Sequence, residues 1–144
     1  MQKKPLPVGI DDFEKLIRNN YYYVDKTLFI KELLDKKGEV NLFTRPRRFG
    51  KTLNQSMIRF FFENTGSLEG NEANQALFKD LQIMKQGDRY TQEMSSYPVI
   101  SLSLKSSKQP DWELAYGCLK EEIGREYLRH RIVLDSLKVP EQKR

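Results

Sequence analysis

Gly50, Lys51 and Thr52 close a basic stretch, Arg45-Pro46-Arg47-Arg48-Phe49, inside the segment Asn41 to Glu63, NLFTRPRRFGKTLNQSMIRFFFE. A bare glycine backbone lets N–H groups close on a phosphate, a lysine reaches the outer phosphates, and a threonine hydroxyl can ligate Mg2+. The nucleotide-binding residues read from this pattern are Arg45, Pro46, Arg47, Arg48, Phe49, Gly50, Lys51, Thr52 and Leu53, with Thr52 as the magnesium ligand. Thr52 would also open a helix whose N-terminal dipole favours an anion. One position departs from the general pattern G-x-x-x-x-G-K-[ST]: Arg45 stands where the first glycine belongs, and Pro46 removes one N–H from the cradle. Arg47 and Arg48 add two permanent cations, which either clamp phosphate bidentately or point to solvent.

A phosphate loop needs a strand before it and a helix after it. Val40 to Thr44 is a β-prone run following the breaker Gly38, and Leu53, Met57, Phe60 and Phe61 recur at helical spacing. Val99, Ile100, Leu102 and Leu104 mark a second strand over Pro98 to Leu104, which the intervening helices would bring parallel to the first. Upstream, Asp11 and Glu14 stand in capping-box spacing before Phe13, Leu16 and Ile17, and Asp25 can cap a second helix running from Lys26 to about Lys36, with Gly38 just past its end. Downstream, Thr65 to Asn71 reads as a turn, Ala73 to Leu81 as a short helix and Gly87 to Ser96 as a loop. Asp111 then caps a helix whose Trp112, Tyr116, Leu119, Ile123 and Tyr127 form one stripe, expected to be buried.

Three stretches together carry a resemblance: TRPRRFGKTL, the upstream LPVGIDDFEKLIRNNYYYVDKTLFIKELL, and YPVISLSL with DWELAY. They resemble the AAA-ATPase-like domain found in many bacterial proteins, often ahead of a PD-(D/E)XK-type nuclease domain. In that family the loop reads RPRRFGKT, so Arg45 is the family's own variant. The resemblance spans roughly residues 5 to 135. It implies an α/β fold, a partial P-loop NTPase with a three-layer, mostly parallel sheet flanked by helices, incomplete relative to the family. Residues 1–144 are then a single domain, the amino-terminal portion of a longer protein, with 136–144 as a frayed tail. ATP and Mg2+ are the implied ligands. Upstream segments in such ATPases often close over the base, which makes Tyr23 and Phe29 base contacts, or else plain core.

The family also implies an acidic Walker B strand, and the chain offers little for it. The Pro98–Leu104 strand runs out in Ser103-Leu104-Lys105 without a carboxylate. Ile132-Val133-Leu134-Asp135 has the right composition but continues from a helix without a turn. ATP binding with little or no hydrolysis by the chain alone is the expectation.

Composition excludes other classes. The 144 residues are 38% hydrophobic and 31% charged with a net charge of +5, too apolar for disorder and too charged for a membrane bundle. No apolar run approaches the ~20 residues of a transmembrane helix and no signal-peptide core follows Met1, so cytoplasm is the expected location. Cys118 is the single cysteine, and no Cys/His cluster suggests zinc. No guanine-reading Asn-Lys-x-Asp pattern occurs, which favours ATP. Two other classes stay open: a nucleic-acid-binding module using the basic loop and the tail from Arg125 to Arg144, and an interaction domain whose loop binds nothing. Self-association or a missing C-terminal domain are the partners such an incomplete fold would seek.

Overall fold

Asp12 starts the first helix: its carboxylate accepts a hydrogen bond from the Lys15 N–H at 2.8 Å, and α1 runs over Phe13–Arg18. The cap therefore falls one residue after the expected Asp11. Asp12 and Lys15 hold the N-cap and N3 positions, where a carboxylate meets an otherwise unpaired amide. The computed structural model describes residues 3–131 and Asp135, and the chain divides into two compact units, Met1–Val99 and Ile100–Arg144.

The first unit packs helices on helices. α2 spans Leu28–Lys36 and ends on Lys37 in the left-handed conformation (φ 49°), where Gly38 was expected to serve. α3 spans Lys51–Phe62 and buries Met57, Phe60 and Phe61, as its spacing predicts, with Leu53 half-buried against the same core. α4 occupies Leu68–Ala76, earlier than the expected Ala73 to Leu81, because Ser67 caps it by accepting from the Gly70 N–H. A 3-10 turn over Gln82–Lys85 and the short α5, Asp88–Thr91, follow. α5 lies where a loop was expected, and it buries Tyr90.

Phe13, Phe61 and Phe78 meet at the centre, with ring centroids 4.9 Å apart for Phe13 and Phe78 and 5.3 Å for Phe61 and Phe78. All three are fully buried, and burying a phenylalanine side chain stabilises by about 1.5–3 kcal/mol. The Phe13 N–H also donates to the Ser56 hydroxyl at 3.0 Å, tying the start of α1 to the middle of α3.

The α/β architecture with a mostly parallel sheet does not form. Among the described residues every regular element is helical, and β pairing is limited to one isolated parallel bridge between Glu63 and Tyr97. The reason is local. A strand needs a neighbour for its N–H and C=O groups, yet Val40 to Thr44 has no pairing partner among the described residues, and Val40 and Leu42 are 88% and 85% exposed. Just ahead of the second expected strand, the N–H groups of Ser95 and Tyr97 donate to Phe61 and Phe62 at the end of α3, at 2.9 Å each.

In the second unit Ile100 to Leu104 carries no regular element, a 3-10 turn covers Lys105–Ser107, and α6 runs over Trp112–Arg129 behind the Asp111 cap. The cap is as expected; the stripe is not. No residue of α6 is buried, and Trp112, Tyr116, Ile123 and Tyr127 are all exposed. Helical spacing aligns these side chains but does not provide the second apolar layer that would cover them. Trp112 and Tyr116 instead stack on each other at 5.6 Å, with the Lys120 ammonium 4.4 Å from the Tyr116 ring. Residues 132–134 of the Walker B candidate and the 136–144 tail lie outside the described residues.

Two polar anchors of the first unit yield predictions. Asp25 accepts from both the N–H (2.9 Å) and the hydroxyl (2.6 Å) of Thr27, and from the Gln82 N–H (2.8 Å). The fully buried Thr27 hydroxyl in turn accepts from the Ile83 N–H at 3.1 Å. Thr27→Val keeps the shape but leaves that buried N–H unpaired, so urea unfolding should show a loss of about 1–3 kcal/mol. A change within about 0.5 kcal/mol, the range of an ordinary surface substitution, would contradict it.

Tyr23 packs edge-on to Phe13 at 5.7 Å and donates its hydroxyl to the Met57 sulfur at 3.3 Å. Burial, partly offset by the hydrogen bond from the Lys26 N–H and helped by the Asp25 charge, pushes the Tyr23 hydroxyl up to about 12. The folded state therefore holds this proton where the unfolded chain, with an ordinary value near ~10, releases it. The contribution is complete below pH ~10 and is lost as pH rises towards 12. Tyr23→Phe should flatten the fall in stability across that window, and an unchanged slope would contradict the assignment.

Candidate functional site

The basic loop is shaped by two left-handed residues. Arg48 and Gly50 have φ values of 66° and 75° with Phe49 between them. Glycine adopts this conformation freely, whereas a side chain such as arginine does so at a cost of about 1–2 kcal/mol. Turns of this kind turn successive N–H groups to one side and form concavities suited to anions.

Gly50 is the N-cap of α3, and no side chain caps the helix. The first intrahelical bond runs from the Asn54 N–H to the Gly50 carbonyl at 2.9 Å, so the N–H groups of Lys51, Thr52 and Leu53 have no partner inside the helix. Lys51 and Thr52 are exposed, as is every residue from Asn41 to Gly50. Arg45 donates only to the neighbouring Thr44 carbonyl, at 3.0 Å. Neither it nor Arg47, Arg48 or Lys51 forms an ion pair among the described residues, and no Asp or Glu occurs from Asn41 to Phe62. Four cations close in sequence thus lead into a helix whose first amides have no intrahelical partner, a combination suited to an anion.

Two cavities open on either side of Lys51. One, of about 650 Å³, lies between the N-terminal strap Pro7 to Asp11 and the loop residues Arg48, Gly50, Thr52 and Leu53. The other, of about 520 Å³, is lined by Lys26, Phe29, Phe43, Arg45, Phe49, Asn54, Gln55 and Ile58. Both have the size of small-molecule pockets. Lys51 borders both; Gly50 and Thr52 border only the first.

The residues singled out by sequence separate across this geometry. Gly50, Lys51, Thr52, Leu53 and Arg48 come together around the strap cavity, and Arg45, Phe49 and Lys51 line the aromatic one. Phe29 faces the aromatic cavity, edge-on to Phe43 at 4.6 Å. Tyr23 borders neither cavity and packs into the core. Pro46 and Arg47 are exposed in the loop and line neither cavity.

For magnesium, the chain presents the Thr52 hydroxyl in the first turn of α3. Among the described residues no group of three His, Cys, Asp or Glu side chains converges on a metal position. The donor set therefore fits phosphate well and fits a metal only where phosphate oxygens complete its shell. Sequence reasoning gave the strap no part in the site, taking Asp11 as a helix cap, and read Phe43 as a strand residue. The signal for the strap was Gly9 after Pro7: its φ of 72° turns the chain, with the Ile10 N–H reaching the Pro7 carbonyl at 3.3 Å.

No helix among the described residues is long and apolar enough to cross a membrane. No solved structure matches the chain. A protein of Azotobacter chroococcum mcd 1 described as "Uncharacterized protein in vnfD 5'region" is 38% identical over 89 residues, which cover 61% of this chain and 15% of that protein. The chain thus spans a small part of this relative's length. The family described as Predicted AAA-ATPase matches residues 7–142, nearly the whole chain, with the basic loop, the strap and α6 all inside the match. By that match the chain belongs to the AAA-ATPase-like family.

Proposed function

We propose that the chain is a nucleotide-binding module, with ATP as the favoured ligand, whose phosphates bind the loop from Arg45 to Leu53. The observation that carries the reading is the start of α3: unpaired amides at Lys51, Thr52 and Leu53, an uncapped Gly50, and four cations without a counter-ion. Lys51, which borders both cavities, pairs with the outer phosphates in this reading. The loop amides hold the inner ones, and Arg45, Arg47 and Arg48 add charge. Thr52 contributes its hydroxyl to Mg2+ carried by the phosphates. Phe29 and Phe49 offer ring faces to a base, while the core position of Tyr23 favours packing as its role.

Hydrolysis by this chain alone is no part of the proposal. An oriented water and a carboxylate near the metal are needed for it, and the loop segment supplies neither. The exposed apolar side chains of Val40, Leu42, Ile100 and Leu104, with the much greater length of the A. chroococcum relative, support further protein as the partner. That partner is either the rest of a longer chain or another copy.

The test is a thermal-shift titration with Mg-ATP, Mg-GTP and inorganic triphosphate on wild type and on Lys51→Ala. Ligand at about 100 times its dissociation constant adds roughly 2.7 kcal/mol, worth several degrees in midpoint for a chain of this size. The shift with ATP should vanish in Lys51→Ala, whose own midpoint should stay close to wild type because Lys51 is exposed and unpaired. A folded wild type that responds to none of the three would contradict the proposal.

A further inference from the structure

The second unit leaves the apolar stripe of α6 open. Trp112, Tyr116, Ile123 and Tyr127 are exposed, and Leu119 is half-buried. From Trp112 to Ile123 the stripe advances by 4, 3 and 4 residues, the spacing of a helix that packs lengthwise against another helix. The Trp112 and Tyr116 rings, stacked at 5.6 Å, concentrate aromatic surface at one end of it.

The charges beside the stripe select the partner. Glu113 and Lys120 stand seven positions apart, so both flank the stripe on the same side. Both are exposed, and neither forms an ion pair among the described residues. Lys120 rests over the Tyr116 ring, with its ammonium 4.4 Å from the centroid. The neighbouring charges differ, since Glu122 pairs with Arg125 and Glu126 with Arg129 within the helix.

A second α6 laid end for end on the first, with Trp112 opposite Ile123 and Tyr116 opposite Leu119, brings its Lys120 against Glu113. By the two-fold axis its Glu113 meets Lys120 of the first copy. One flank thus carries both halves of its own complement, the property of a face that pairs with itself. We infer that the exposed stripe of α6 is a homodimer interface in which two α6 helices pack antiparallel, with Glu113 and Lys120 setting the register. The inference is independent of the phosphate loop. With 18 residues α6 is about 27 Å long, which puts the contact at the small end of specific interfaces and makes the dimer a weak, exchanging one.

The test is sedimentation equilibrium of the whole chain over a dilution series reaching about 1 mM, where weak complexes form. It compares wild type with Ile123→Glu, Glu113→Lys, Lys120→Glu and the double charge variant. Wild type should pass from monomer to dimer and go no further. Ile123→Glu, a change at an exposed position, should stay monomeric throughout. Each single charge change sets like charges against each other at both contacts and should weaken association roughly tenfold. The double variant should restore it, and an equimolar mixture of the two single variants should associate more tightly than either alone. A wild type that remains monomeric at every concentration would overturn the inference and assign the stripe to a different protein segment. Association that survives Ile123→Glu, or that is the same in all three charge variants, would overturn it as well.

Discussion

The hydrogen bond from the Phe13 N–H to the Ser56 hydroxyl, backed by the Phe13, Phe61 and Phe78 rings, is the contact on which the site depends. Nearly everything from Asn41 to Thr52 is exposed and makes few contacts of its own. The loop runs into α3, whose lower half is locked into the core, and shares a cavity with the strap, which leads into α1. A phosphate site gains from this division. In the proposed reading the helix would aim its amides at the phosphate and the loop cations, which form no ion pair among the described residues, would be open to it.

The charges are placed in keeping with that division. Salt bridges in the first unit, such as Arg59 with Glu63 and Lys31 with Asp35, lie away from the loop on helix faces. Asp35 also accepts from the Tyr90 hydroxyl at 2.7 Å, and this bond, with Lys31 beside it, holds its carboxyl below the usual range. Near Lys51 the opposite holds, and the single carboxylate bordering the cavity is Asp11. A strained Arg48 at the same turn fits the observation that unusual backbone conformations collect where a ligand is gripped.

Several helix signals were legible because they are local. The Met57, Phe60 and Phe61 stripe, the Asp111 cap and the helix start at Gly50-Lys51 depend on residues a few positions apart, and each formed. The sheet was not legible, because a strand is a relation between distant segments. Val40 to Thr44 and Pro98 to Leu104 have strand composition, but composition does not supply the neighbour that pairs with them. The α6 stripe misled in the same way, since periodicity says which side chains share a face and is silent on what covers it. In the loop, the residue pattern marked the basic turn and the start of α3. Asp11 was misassigned by one register position, as Asp11 and Asp12 are equally good caps by type.

The central claim is that phosphate binds at the start of α3. The most direct measurement is a two-dimensional amide NMR titration of the chain with Mg-ATP. The account predicts that the Gly50, Lys51, Thr52 and Leu53 signals shift together and saturably, with the amides around Phe78 and Tyr90 unmoved. Shifts that leave these four signals in place, or that scatter over surface lysines without saturation, would contradict it.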